Sequence, residues 1–129
     1  MPRYTVWAKS PLTGAEGEAE AGGWWGPELK KAGFDALIIK GSSKTPVYLW
    51  IKDGKVEIKV AAHLWGKDTG ITQKIIKEEL ADDEVRIAQI GPAGENLVRF
   101  ANIVNELKHF NGRNGLGAVM GSKKLKILP

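Results

Sequence analysis

Pro46-Val47-Tyr48-Leu49-Trp50-Ile51-Lys52-Asp53-Gly54-Lys55-Val56-Glu57-Ile58-Lys59-Val60 is the stretch whose reading decides the fold. Pro46 to Ile51 and Lys55 to Val60 are rich in β-branched and aromatic residues, and they flank Asp53-Gly54, the strongest short hairpin signal in the chain. Downstream, Gly70 to Leu80 reads as an amphipathic helix. Ile71, Ile75, Ile76 and Leu80 form its apolar stripe, and Asp68 or Thr69 its cap. Upstream, Ala36-Leu37-Ile38-Ile39 reads as a buried strand bounded by Asp35 and Gly41. Before it, Pro27 to Ala32 reads as a short helix, with Pro27 at its first position and Gly33 as its stop.

The outer segments complete the pattern. Arg3 to Lys9 alternates as a strand, with Tyr4, Val6 and Ala8 on one side, until Ser10-Pro11-Leu12-Thr13-Gly14 breaks it. Ala15 to Gly26 is small, acidic and glycine-rich, and reads as loop. Glu84 to Ile90 reads as a strand, Leu97 to Val104 as a strand in preference to a buried helix, Gly115 to Ser122 as a short helix, and Lys124 to Leu128 as a closing strand. A hairpin within mixed connectivity predicts an α+β fold, with mixed or antiparallel sheets and a few short helices. With no low-complexity linker or repeat, residues 1–129 are expected to form a single domain.

Composition narrows the function classes. Of 129 residues, 43% are hydrophobic and 26% charged, as in globular proteins rather than disordered ones. No apolar run approaches the roughly 20 residues a membrane helix needs, and Met1-Pro2-Arg3-Tyr4 lacks the apolar segment of a signal peptide. The sequence contains no cysteine. That excludes disulfides, thiolate zinc sites, cysteine nucleophiles and iron–sulfur ligation on these residues. Many Lys/Glu pairs without cysteine suit a thermophile's cytoplasm. The net charge is +4, and Arg113, Lys123, Lys124 and Lys126 follow the last acidic residue, Glu106. Such a tail reads either as an anion-binding surface or as a solvated lysine-rich one.

The densest chemical signal is Asn111-Gly112-Arg113-Asn114-Gly115-Leu116-Gly117-Ala118-Val119-Met120-Gly121-Ser122-Lys123-Lys124. Glycines let backbone N–H groups approach an anion, and Arg113 offers a planar fork of donors. The alternative is tight packing of a short helix through its glycines. The spacing fits neither a dinucleotide fingerprint nor a Walker loop well. His63 and His109 lack metal-ligand spacing, and His63 reads as a packed, hydrogen-bonded core residue. Glu16, Glu18 and Glu20 read as a solvated acidic loop, and Trp7 and Trp50 as core. Trp24-Trp25 is either a cofactor or partner surface or a plug over the core.

Several blocks resemble, in order, the early part of tungsten-containing aldehyde:ferredoxin oxidoreductases. They are Lys9 to Gly14, Ala21 to Lys30, Pro46 to Ile51, Ala62 to Lys67, Ile90 to Val98 and Gly117 to Lys126. The resemblance implies that family's N-terminal, pterin-binding domain, on which a bis-pterin tungsten cofactor (tungstopterin) sits with a magnesium ion bridging the pterin phosphates. Arg3, Gly22, Gly112 and Arg113 match cofactor-contacting positions. Three residues depart from the family pattern: Glu20 replaces an asparagine, His109 an arginine and Phe110 an alanine. In the family, later domains supply the iron–sulfur cysteines and the acid–base residues at the metal. The resemblance therefore implies a cofactor-binding domain or subunit that is not active alone, reaching ferredoxin only through a complete enzyme. The alternative is a family-derived module that has lost the cofactor and acts as a self-associating or anion/nucleotide-binding protein, with Trp24-Trp25 at the centre of its contact. Either way the expected partner is a second copy or a larger oxidoreductase subunit, with no membrane and no nucleic acid.

Overall fold

The computed structural model describes residues 2–129. Strands β1 (Tyr4–Lys9) and β2 (Glu16–Ala21) pair antiparallel, with Tyr4 opposite Ala21 and Lys9 opposite Glu16. The acidic stretch expected as loop is thus a strand. Its Glu-Gly-Glu-Ala-Glu-Ala order is itself a period of two, turning the carboxylates outward and burying Gly17, Ala19 and Ala21. The same alternation faces Trp7 to solvent at 66% exposure, so Trp7 is not core.

Helix α1 (Trp25–Lys31) starts two residues earlier than Pro27. The following apolar run, Ala36 to Ile39, forms no strand, and Ile38 is 84% exposed. The sheet leaves it no place beside the central hairpin's inner strand. That strand, β3 (Val47–Lys52), has β4 (Lys55–Val60) on one side and the final strand, β8 (Leu125–Leu128), on the other. The turn between β3 and β4 is the one expected, with Asp53 at φ 49° and Gly54 at φ 77°.

Helix α2 (Thr69–Glu79) is capped by Asp68, whose side chain accepts from the Ile71 N–H at 2.8 Å. Ile76 is fully buried and Ile75 and Leu80 pack beside it, whereas Ile71 is half exposed. The expected strands 84–90 and 97–104 shrink to β5 (Ala88–Gln89) and β6 (Ile103–Asn105). Between them lies α3 (Pro92–Glu95), and the residues after it are consumed in turns: Val98 N–H bonds the Ala93 carbonyl and Ala101 N–H that of Val98. Strand β7 (His109–Asn111) and helix α4 (Leu116–Ser122) precede β8.

The larger sheet runs β4-β3-β8-β5-β6-β7, with β3–β8 parallel and the other pairs antiparallel. The fold is α+β with mixed and antiparallel sheets, as expected. Alternation along β3 divides the core in two. Val47, Leu49 and Ile51 join Trp25, Ile90, Leu116 and Met120, while Tyr48 and Trp50 join Leu64, Ile76 and Ile127. Two polar expectations change. His63 is 46% exposed rather than core, and its Nε2 lies 2.9 Å from Glu79 Oε2. Lys126, expected in a solvated basic tail, is fully buried and ion-paired with Glu95. Its Nζ also donates to the Lys67 carbonyl at 3.1 Å, and Glu95 Oε2 accepts from the Gly66 N–H at 2.8 Å. Both charges are therefore satisfied where either alone would be costly.

Candidate functional site

Tyr4 links the two ends of the chain. Its hydroxyl lies 3.0 Å from Asn105 Oδ1 and 2.7 Å from Asn111 Oδ1, so its single proton is shared between two acceptors. Burial, reinforced by the Glu106 charge, raises its pKa well above the ordinary phenol value, and the group stays a neutral donor. The asparagine amides face the other way: Asn105 Nδ2 donates to the Gly22 carbonyl at 3.1 Å and Asn111 Nδ2 to that of Ala19 at 2.9 Å. Asn114 Nδ2 continues the lacing, donating to the Glu18 carbonyl at 2.9 Å. These amides bond carbonyls along β2 and at the residue that follows it, and no third strand pairs with that hairpin.

The loop after β2 is held from below. Glu106 Oε1 accepts from the Trp24 N–H at 2.6 Å. A Cβ on Gly23 would meet Asn105 Nδ2 at 2.6 Å and His109 Cδ2 at 2.8 Å, so the loop closes onto the β6–β7 turn only because position 23 has no side chain. Trp25 is buried, packs on Tyr4 with centroids 4.8 Å apart, and donates from Nε1 to the Leu128 carbonyl at 2.7 Å. The tryptophan pair is thus divided. Trp25 plugs the core and Trp24 lies 57% exposed.

The glycine-rich segment divides too. In α4, a Cβ on Gly121 would sit 1.9 Å from the Gly94 carbonyl oxygen, and one on Gly117 2.5 Å from that of Asn102. The Gly117 N–H is already bonded to the Ala101 carbonyl at 2.9 Å. These glycines serve close backbone packing. Gly112 is different: a Cβ there would meet nothing within 4 Å. Beside it Arg113 is exposed, and its guanidinium has no hydrogen bond or ion pair among the described residues. Arg3 lies at the start of β1 and pairs with Glu20 at 3.5 Å, both side chains more than half exposed. One network thus holds Gly22, through Asn105, together with the sequence neighbours of two other expected positions: Asn111 precedes Gly112, and Tyr4 follows Arg3. Phe110, on the last strand of the sheet, is 53% exposed. Sequence reasoning missed Tyr4, Asn105, Asn111 and Glu106 in these roles. The signal was a set of asparagines at strand ends, where a side-chain amide can stand in for a missing strand.

No group of three or more His, Asp or Glu side chains suited to a metal occurs among the described residues. A cleft of about 300 Å³ lies elsewhere, between Trp50, Asp53, Asp82, Glu84 and Arg86. No described helix is long and apolar enough to cross a membrane.

These features define a small α+β platform, a two-stranded hairpin tied by asparagines to the β6–β7 end of a six-stranded mixed sheet. The chain belongs to the aldehyde ferredoxin oxidoreductase N-terminal domain family, whose model matches residues 1–128. It is 52% identical over 126 residues to a tungsten-containing aldehyde ferredoxin oxidoreductase of Pyrococcus furiosus, covering 98% of this chain and 21% of that protein. The Pyrococcus abyssi enzyme of the same name is 55% identical over the same length and share. Among solved structures, the active site complex BamBC of benzoyl coenzyme A reductase, in complex with 1,5-dienoyl-CoA, superposes with a TM-score of 0.94 at 45% identity. That match covers 98% of this chain and 19% of that one. The chain thus spans about a fifth of the length of its curated relatives.

Proposed function

We propose that residues 1–129 act as one folding unit and form one wall of the cofactor site of an aldehyde:ferredoxin oxidoreductase-type enzyme working in the cytoplasm. Arg3, Gly22, Gly112 and Arg113 would face a bis-pterin tungsten cofactor with its bridging magnesium. When bound, that group would supply the two-electron redox chemistry at tungsten. The chain's own part is to bind and orient. Arg113 would offer charge-assisted donors to phosphate oxygens, and Gly112 would admit the ligand close to the backbone.

The observation that carries this reading is the contrast within the glycine segment. Gly115, Gly117 and Gly121 make tight contacts or take a backbone conformation suited to glycine, whereas nothing in this chain crowds Gly112. Open space at a glycine, next to an unpaired exposed guanidinium, fits a group supplied from outside. The relatives named above as tungsten-containing support a tungsten cofactor as that group. The absence of cysteine means that electrons need residues beyond these 129 to reach ferredoxin. A second reading, a module that no longer holds the cofactor, draws on two observations. Arg3 is engaged by Glu20, and Phe110 projects from the edge strand.

The test is purification from the native source, with tungsten, magnesium and pterin analysis and identification of co-purifying chains. Stoichiometric pterin and tungsten with a larger oxidoreductase polypeptide is the expected result. Homogeneous protein carrying neither would favour the second reading. The isolated recombinant chain is expected to show no aldehyde oxidation with a viologen acceptor. Turnover by it, free of contaminating oxidoreductase, would contradict the proposal.

A further inference from the structure

Strand β4 is the outer strand of the six-stranded sheet and has β3 on one side only. Its residues alternate sharply. Lys55, Glu57 and Lys59 point to one face, where the Lys59 ammonium lies 4.2 Å from the Trp50 ring centroid. Val56, Ile58 and Val60 point to the other, continuing the apolar plane of Ile51, Leu49 and Val47, their partners in the β3–β4 register. Yet they are 41%, 72% and 65% exposed, because no helix extends over this edge. An apolar, six-residue, unpaired edge strand is a template for pairing with another strand.

The backbone fixes which residues offer that pairing. The two-residue turn makes Lys52 and Lys55 a hydrogen-bonded pair, and such pairs recur at every second position. Consistent with this, the Ala61 N–H points inward to the Pro46 carbonyl, while the Val47 and Ile51 N–H groups point away toward Lys124 and Pro129. The N–H and C=O groups of Lys55, Glu57 and Lys59 are therefore used within the hairpin. Those of Val56, Ile58 and Val60 face outward, free.

We infer that a second copy of this chain occupies this edge, with β4 pairing antiparallel to its own counterpart about a two-fold axis at Ile58. The register follows from charge and backbone together. Centred on Ile58, the outward-facing groups of Val56, Ile58 and Val60 meet Val60, Ile58 and Val56 of the second copy. On the opposite face each Glu57 then stands opposite a Lys59, twice per dimer. Centring on Glu57 would bring the same outward backbone groups together, Val56 against Ile58, but would put Glu57 against Glu57 and Lys55 against Lys59. A slip of one residue would set apolar side chains opposite charged ones. Lysines commonly blunt exposed edges, but here the intervening glutamate makes the row self-complementary. The result is a continuous sheet across two copies, in which Val56, Ile58 and Val60 of each copy lie beside those of the other on one face. This inference is independent of the cofactor reading.

Sedimentation equilibrium of the full 129-residue chain tests it, together with amide hydrogen exchange at low and high protein concentration. We expect a concentration-dependent dimer of the 14.1 kDa chain, with the amides of Val56, Ile58 and Val60 gaining protection as it forms. Lys59→Glu puts like charges opposite one another twice and should weaken the dimer about tenfold or more. The double charge swap Glu57→Lys with Lys59→Glu should restore it. Trp24→Ser should leave it unchanged. A strict monomer at high micromolar concentration would overturn the inference, as would a dimer indifferent to Lys59→Glu, one not rescued by the swap, or one abolished by Trp24→Ser.

Discussion

Replacing Gly121 with alanine would place a methyl carbon 1.9 Å from the Gly94 carbonyl oxygen and 2.7 Å from its carbon. A comfortable approach of such atoms is about 3.4 Å, so α3 and α4 would have to separate by more than about 1 Å in a close-packed interior. Both colliding groups are backbone, and neither can rotate away as a long side chain could. Overpacking of this kind costs typically about 1–3 kcal/mol, and rigid partners argue for the upper end or beyond. Against this, alanine gains about 1 kcal/mol over glycine in a helix interior. The net expectation is a destabilisation of about 2 kcal/mol or more, a fall in Tm of roughly 6–10 °C for a chain of this size. Gly112→Ala is the paired control. With nothing within 4 Å and no positive φ, it should shift stability by no more than about 0.5 kcal/mol. Thermal and denaturant unfolding of the three proteins side by side decides the matter. If Gly121→Ala unfolds like wild type, or Gly112→Ala is as damaging as Gly121→Ala, the division of the glycine segment into packing and open parts is wrong.

Two further outcomes follow from the buried and half-buried charges. Lys126→Met leaves the Glu95 carboxylate buried without its cation and should cost about 3–5 kcal/mol. Adding Glu95→Gln, which keeps an acceptor for the Gly66 N–H, should recover much of that loss in urea unfolding, and a double variant no better than the single would contradict the pairing. At Glu79, burial works to raise the pKa. Hydrogen bonds from His63 and Tyr48, with the charges of His63 and Lys59, outweigh it and hold the carboxyl below its ordinary value of 4.5. A lowered folded-state pKa stabilises above the unfolded value and loses that contribution as pH falls through the folded one. Thermal stability should therefore decline as pH drops below about 4.5, and Glu79→Gln should flatten this acid limb, whereas a variant with wild-type acid sensitivity would remove the cluster from the account.

The elements legible in the sequence were those whose signals are local. The Asp53-Gly54 turn, the Asp68 cap and the alternation of Lys124 to Leu128 each depend on neighbours a few residues away, and each formed. The misread elements depend on what lies across the fold. Ala36 to Ile39 is apolar enough for a strand, but β3 already has two neighbours. Glu16 to Ala21 has the composition of a loop, although its period of two is that of a strand. Lys126 looked solvated because its partner, Glu95, lies 31 positions away in sequence. At the candidate site, Gly112 and Arg113 stood out by residue type, but nothing in the sequence separated them from the packing glycines that follow. Nor did it reveal Tyr4 holding Asn105 and Asn111, since a shared hydroxyl proton between the two ends of the chain leaves no local pattern.

The most direct measurement of the central claim is phosphorus NMR of inorganic diphosphate titrated with the chain at low salt, repeated for Arg113→Ala and Glu20→Asn. Arg113 should donate to the anion, and its loss should weaken binding about tenfold or more, the usual scale for a hydrogen bond to a charged group. Glu20→Asn should strengthen binding, because it frees Arg3 from its ion pair and removes a repelling carboxylate. Equal affinity in all three proteins, or no binding to any, would mean that Gly112, Arg113 and Arg3 form no anion site on this platform.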